Sequence, residues 1–319
     1  MMRRLAVFLT VLFMSASAVA QTYPSRPVKL VVGFAPGGSG DFLTRLIADE
    51  MSKDFGVTVI TENRAGAAGT VAAATVAKAP ADGYTVLNAA PLAINKALYK
   101  TLPYDSDKDL TPVTNVADGP HIIAVNDALP VKNLKELIAY AKERPGKLFM
   151  ADAGSGSSTH LAGVQFMSVA GVQFTTVHYK GGGPAVQSLI TGDTQVMFAT
   201  MPSIIGFIRS GRVRALAITA PAASPAIPGI PGAAEVGLPW YESNSSFGLY
   251  VPAGTPEPVV KRLHEAAAKA LSNPAVKEKI ASQGYASAPS VSPQAFQAKL
   301  AAEAPIWERV VRESGARVD

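Results

Sequence analysis

Three times along this chain a short apolar run ends in a glycine-rich loop and passes into a helix-like stretch. No other feature narrows the fold as much. The first junction reads Phe34-Ala35-Pro36-Gly37-Gly38-Ser39-Gly40-Asp41, and the second Asp152-Ala153-Gly154-Ser155-Gly156-Ser157-Ser158-Thr159-His160. The third is Tyr179-Lys180-Gly181-Gly182-Gly183-Pro184. The run from Val28 to Phe34 is continuously apolar apart from Lys29, as expected of a strand buried on both faces. Beyond it, Phe42, Leu43, Leu46, Ile47 and Met51 fall on one helical stripe. The same reading predicts strands near 57–61, 84–87, 121–125, 174–179, 195–199, 214–219 and 247–251. Helices are expected over 161–169, 185–190, 203–210, 274–282 and 292–312, with another starting at Thr255-Pro256. Asn133 is placed to cap one more, with Glu136 three positions on. Such alternation argues for α/β domains with mainly parallel sheets. Five prolines between 221 and 239 make that stretch a surface loop.

The first twenty residues read as an export leader rather than as part of the fold. Arg3 and Arg4 precede the apolar run LAVFLTVLFM, and Ala18-Val19-Ala20 fits the small-x-small cleavage rule, putting the mature start at Gln21. The apolar run is shorter than the ~20 residues a bilayer span needs. A mature chain of roughly 300 residues suggests about two domains. The formal charge of +5 includes those two arginines, and the remainder is mildly basic and spread along the chain, with no nucleic-acid signature. The expected location is the periplasm.

Composition removes several chemistries. The absence of cysteine excludes disulfides, thiolate nucleophiles and cysteine-based metal sites. The four histidines, His121, His160, His178 and His264, show none of the usual close ligand spacings, so no metal or cofactor is expected. GxGxxG is absent, since Gly154-Ser155-Gly156-Ser157-Ser158-Thr159 lacks the third glycine; so are the Walker loop and GxSxG. Asp152, Ser158 and His160 could be drawn as a triad, but near neighbours at a helix start rarely reach that geometry. His160 is expected to pack or hydrogen-bond at the base of its loop, and Asp41 to complement a helix dipole.

The loops themselves suit binding. Glycine lets a ligand approach the main chain, and a helix start presents unpaired N–H groups carrying partial positive charge. A tight connection with a good N-cap would explain any one such loop; three in one chain favour an anion site. In open α/β sheets, ligands sit beyond the carboxyl ends of strands, where these loops fall. Lys180 is a possible anion partner, and Phe34 is the aromatic best placed to touch a ligand.

Several segments carry a family resemblance. They include Tyr23-Pro24-Ser25-Arg26-Pro27-Val28, Pro36-Gly37-Gly38 followed by Asp41 and Arg45, and Glu62-Asn63-Arg64-Ala65-Gly66. Asp82-Gly83-Tyr84-Thr85, Leu98-Tyr99-Lys100, Leu102-Pro103-Tyr104, Gly156 to His160, Tyr179 to Gly182 and Pro252-Ala253-Gly254-Thr255-Pro256 belong to the same set. In order and over nearly the whole mature chain, they resemble the Bug (TctC-like) solute receptors of tripartite tricarboxylate transporters. The resemblance implies a type II periplasmic-binding-protein fold, two α/β lobes joined by two crossing strands. The first lobe would hold 21–125 and 246–319, and the second 126–245, with crossings at 121–125 and 247–251. It further implies a monomeric, non-catalytic receptor for a small carboxylate (a dicarboxylate, an amino acid or an aromatic acid), serving membrane permease subunits. The matching pocket positions are Phe34, Gly37, Gly38, Ser39, Asp41, Ala89, Pro91, Gly156, Ser157, Ser158, Thr159, His160, Tyr179, Lys180 and Ala199. Replacing Ser157 and Ser158 by alanine is expected to weaken binding with little loss of stability.

Departures from the family pattern narrow the ligand. Gly33, Gly40, Ala89-Ala90-Pro91 and Ala199-Thr200 stand where more polar residues or proline are usual, which points to a less polar carboxylate, aromatic acids among them. The competing expectation is a secreted two-lobed hydrolase or transferase acting on a small carboxylate. A receptor feeding a sensor pathway is a third.

Overall fold

The computed structural model describes residues 23–314, so the leader expected at 1–20 lies outside the described residues. Strand β1 (Val28–Val32) buries every residue except Lys29. It pairs in parallel with β2 (Val59–Asn63) and β3 (Thr85–Ala89). Between them lie α1 (Ser39–Phe55) and α2 (Thr70–Ala77). Helix α1 buries the predicted stripe through Leu43, Ile47 and Met51, and it ends at Gly56, whose φ of 69° suits glycine. The short α3 (Ala93–Leu98), which the sequence pattern did not signal, follows β3.

Strand β4 (Leu110–Asn126) runs for 17 residues and belongs to two halves of one sheet. Its first part pairs antiparallel with β9 (Asn244–Pro252), from Leu110 opposite Pro252 to Pro120 opposite Asn244. From His121 onward it pairs antiparallel with β7 (Val196–Thr200) and β8 (Val213–Ile218). Strands β5 (Phe149–Asp152) and β6 (Thr175–His178) complete the second half, with β5 parallel to both β6 and β7. The two-residue β10 (Ala286–Ser287) adds to β4 in the first half. The sheet is therefore mixed, not mainly parallel as expected. The whole of β4 before His121 was missed because Pro112, Gly119 and Pro120 interrupt its apolar pattern. The strand tolerates them through register shifts after Pro112 and after Asn115, and by changing partners after Pro120.

In the second half, α4 (Leu134–Lys142) starts at Asn133, whose side chain accepts from the Glu136 N–H at 2.9 Å. Glu136 in turn accepts from the Lys132 N–H and from the Asn133 side-chain amide, not from the Asn133 backbone N–H that a capping box would use. Helices α5 (Ser158–Ala170), α6 (Gly182–Thr191) and α7 (Met201–Arg209) follow β5, β6 and β7. The 221–239 segment is irregular apart from one 3-10 turn at Ala234–Val236.

After β9 the chain forms α8 (Glu257–Ser272), α9 (Pro274–Ser282) and α10 (Pro293–Ser314). Helix α10 touches both halves of the molecule. Phe296 packs on Tyr250 of β9, while Val311 shares a small apolar cluster with Ile94 and Leu98 of α3 and Leu161 of α5. Gly248 of β9 makes the first of these contacts possible, since a Cβ there would lie 2.3 Å from the Phe296 ring. Gly248→Val therefore overpacks a buried site and is expected to cost about 1–3 kcal/mol. Urea unfolding would show this as a lower midpoint at unchanged slope; a midpoint equal to wild type would contradict the packing described.

Candidate functional site

The three glycine loops come together where the two halves of the molecule face each other. The Ala35 N–H donates to the Lys180 carbonyl at 2.9 Å, joining the first loop to the third. Nearby, a Cβ built on Gly183 would sit 2.4 Å from the Pro36 carbonyl oxygen, and one on Gly181 would sit 2.8 Å from the Ala35 nitrogen. The Gly38 and Gly182 backbones are in looser van der Waals contact, a Cβ on Gly38 lying 3.5 Å from the Gly182 nitrogen, so the N-termini of α1 and α6 meet here without a side-chain cap on either. One side-chain bond also crosses, with the Ser39 hydroxyl donating to Thr200 Oγ1 at 2.6 Å.

Beside these contacts lie two spaces that share Gly33, Phe34 and Ala68. The inner chamber, about 20 Å³, is lined by Phe34, Asn88, Ala89, Ala90, Pro91 and Leu92 on one side and by Gly156, Ser157 and Ser158 on the other. That is little more than room for a water molecule. The outer recess, about 250 Å³, lies between the 66–68 turn with Tyr99 on one side and Ala153, Gly154, Ser155, His178, Tyr179 and Lys180 on the other. Ala67 and Ala68 hold φ angles of 44° and 50°, a left-handed conformation that costs a non-glycine residue energy and that clusters at binding sites.

Of the residues expected to form the site, Phe34, Ala89, Pro91, Gly156, Ser157 and Ser158 line the inner chamber, and Tyr179 and Lys180 the outer recess. Others sit elsewhere. Gly37, Gly38, Ser39 and Asp41 line neither space; the second half of their loop is pressed against 181–183 or bonded internally. The Gly37 N–H is taken by Asp41 at 3.1 Å. Thr159 accepts from the Ala153 N–H, and His160 Nδ1 accepts from the Gly156 N–H, so both shape the second loop from behind. Ala199 is a fully buried core residue of β7 opposite Ile122. Ser157 caps α5 by accepting from the His160 N–H at 3.2 Å. Its removal should cost about 1 kcal/mol of helix capping, against the little loss of stability expected from the sequence.

His121 and His178 were not among the expected site residues, whereas Asn88 opens the 88–92 stretch expected to form one of the pocket loops. Asn88 donates to Thr44 Oγ1, and its buried Oδ1 has no protein partner. His121 lies where β4 passes from one half of the sheet to the other, with Nε2 3.1 Å from Ser158 Oγ and Nδ1 beside the Ser243 carbonyl. Complete burial pushes its pKa down to about 4, against a smaller upward pull from that carbonyl. These contacts join residues 37 and 122 positions apart, which no local pattern signals.

Electrostatics separate structural from exposed groups. Burial tends to raise the pKa of Asp41, but hydrogen bonds from Arg45, Asn63 and Gly37, with the Arg45 charge, outweigh it and hold the group below the usual carboxylate range. Asp41 thus braces the first loop and does not act as a base. Asp152 accepts from His178 Nδ1 at 2.9 Å and from the Gly154 N–H at 2.8 Å. The bond to Asp152 raises the His178 pKa despite partial burial, whereas burial lowers that of His160. Donor atoms of Asp152, His160 and His178 lie within 4.8 Å of one another, a grouping that could hold a metal ion and that linear spacing did not disclose. The triad of Asp152, Ser158 and His160 is not assembled, because each of the three has another partner.

His121 is neutral in the fold and protonates near its ordinary pKa when the chain unfolds, so acid favours unfolding. Its contribution is complete above about pH 6.5 and is lost as pH falls toward 4, by on the order of 3 kcal/mol. Urea unfolding at neutral and mildly acidic pH should show a larger acid loss in wild type than in His121→Gln. Equal losses would contradict the assignment.

A family profile described as "Tripartite tricarboxylate transporter family receptor" matches residues 43–315. BugT of Bordetella pertussis is 37% identical over 317 residues, covering 98% of this chain and 97% of that protein. A Rhodopseudomonas palustris protein solved with adipate superposes with a TM-score of 0.89 at 36% identity, covering 93% of this chain and all of that one. MatC from Rhodopseudomonas palustris, solved with bound malate, gives a TM-score of 0.86 at 34% identity, covering 91% of this chain and 100% of its own. On this evidence the chain belongs to the tripartite tricarboxylate transporter receptor family, the Bug or TctC-type solute-binding proteins, and has their two-lobed type II periplasmic-binding-protein fold.

Proposed function

We propose that this protein traps a small carboxylate between its lobes and hands it, unaltered, to the permease subunits of a tripartite tricarboxylate transporter. It would do so as a monomer in the periplasm, after export by the leader at 1–20. The lobes that close would comprise 21–125 with 246–319 and 126–245. The observation that carries this reading is a chamber lined from one lobe by Phe34 and residues 88–92 and from the other by Gly156, Ser157 and Ser158, beside the backbone contacts that join the lobes. A chamber of about 20 Å³ cannot admit a diacid, so entry requires the lobes to part and binding to draw them together. Relatives solved with adipate and malate support the ligand class. The apolar wall of Phe34, Ala89, Ala90, Pro91 and Leu92 favours a ligand with a hydrocarbon middle. Among the described residues no helix is long and apolar enough to cross a membrane.

The enzyme reading has one observation in its favour, the Ser158–His121 pair. A histidine held near 4 is a weak general base at neutral pH, and its other nitrogen faces a carbonyl and the Ser243 hydroxyl, not a carboxylate. Binding without turnover is the better account. Calorimetry with adipate, malate, benzoate, citrate and aspartate tests it. Binding of at least one acid without chemical change is expected; no binding, or conversion of a bound acid, would overturn the reading. Tight citrate or aspartate binding alone would overturn the preference for a less polar ligand.

Gly183→Ala separates closure from folding. Gly183 lies in the first turn of α6 outside the positive-φ set, so alanine suits its own lobe while meeting the Pro36 carbonyl across the cleft. The melting temperature should be unchanged or higher, and affinity should fall about tenfold to a hundredfold. Unchanged affinity would exclude these contacts from the bound state.

A further inference from the structure

The Asp152–His178 pair takes no part in the contacts that join the lobes, although Asp152 also accepts from the Gly154 N–H. Asp152 ends β5 fully buried, while the His178 side chain at the end of β6 is 43% exposed and lines the outer recess. Asp152 engages Nδ1, the inward nitrogen, so the imidazole is oriented with Nε2 away from the carboxylate. Second-shell carboxylates orient histidines in this way, fixing which nitrogen is offered to a ligand. Lys180, two residues on, lines the same recess and has no acid partner among the described residues. The remaining titratable groups around His178 are the His160 ring, edge-on at 5.0 Å, Tyr179 on its own loop, and Tyr99 on the opposite wall.

Two occupants suit such a cluster, an anion and a metal ion. The metal reading needs His160 as a ligand, yet the Gly156 N–H already occupies the Nδ1 lone pair of His160, which leaves the proton of the neutral ring on Nε2. Metal binding at either nitrogen would break that bond or force two donors together. The anion reading needs no rearrangement: a protonated His178 donates from Nε2 while Asp152 keeps its bond to Nδ1.

We propose that His178, oriented by Asp152 and assisted by Lys180, is a proton-linked recognition element for a second carboxylate on the bound ligand. The assignment rests on the receptor reading above and deepens it: one end of a dicarboxylate would sit with Ser157 and Ser158, and the other at His178 in the outer recess. The upward pull of Asp152 on the His178 pKa keeps the ring charged over more of the near-neutral range. An anion beside it raises that pKa further, so binding takes up a proton and affinity increases as pH falls. Asp152 is a positioning residue that also accepts from the Gly154 N–H, so its part in recognition is read through the His178 titration.

The test is calorimetry of wild type with adipate, malate and hexanoate between about pH 6.5 and 8.5, where the ligand carboxylates stay ionised. For at least one of the diacids, affinity should rise toward low pH by up to about tenfold per unit above the His178 pKa, with net proton uptake. Hexanoate should show no such slope. His178→Gln should remove the slope and weaken diacid binding about tenfold or more at the acid end. Asp152→Asn should move the slope to lower pH, and imidazole NMR should show the His178 titration moving with it, a readout that merely structural damage would not produce. A pH slope unchanged in His178→Gln overturns the assignment and leaves the receptor reading intact. Failure of wild type to bind any carboxylate overturns both. A Zn²⁺-induced rise in melting temperature lost equally in His178→Gln and His160→Gln would show a metal site and overturn the anion assignment.

Discussion

Backbone meets backbone where the two lobes touch, and the rest of the site is arranged around that approach. Between Gly183 and Pro36, and between Gly181 and Ala35, there is no space for even one additional carbon atom. A cleft closed by main chain brings amides and hydroxyls close to a small guest, whereas side chains at these positions would hold the walls apart. Three glycine-rich loops therefore do different work. The third supplies the contact surface, Phe34 of the first loop and the second loop line the inner chamber, and the rest of the first loop, from Ala35 on and braced by Asp41, meets the third.

The hinge side is organised by β4. One strand serves both halves of the sheet and changes partners at Pro120 and His121, where the proposed movement of one lobe would be absorbed. His121 links that place to the chamber through Ser158, and its neutral state depends on being shielded from water. A buried group that would charge on exposure makes the crossing sensitive to acid. Helix α10 adds a second connection, with Val311 among residues of α3 and α5.

Much of the fold was legible because burial on both faces of a strand leaves a continuous apolar run. The Asn133 cap and the proline-rich 221–239 loop followed from local chemistry and are found as read. The first part of β4 was hidden because a strand that accommodates Pro112, Gly119 and Pro120 at bulges and partner changes does not advertise itself by pattern. The site was half legible. Glycines and hydroxyls announced the loops, but which of them face the cavity depends on how the lobes meet, so Ser39 and Ala199 were read as pocket residues. Pairs such as His121–Ser158 and Asp152–His178 join distant parts of the chain, and only the assembled sheet brings them within reach.

The central claim is that a carboxylate draws the two lobes together around it. Small-angle X-ray scattering of the mature protein, with and without a saturating acid from those that bind, tests this most directly. The account predicts a smaller radius of gyration with ligand than without it. Tight binding with superimposable curves in both conditions would contradict it.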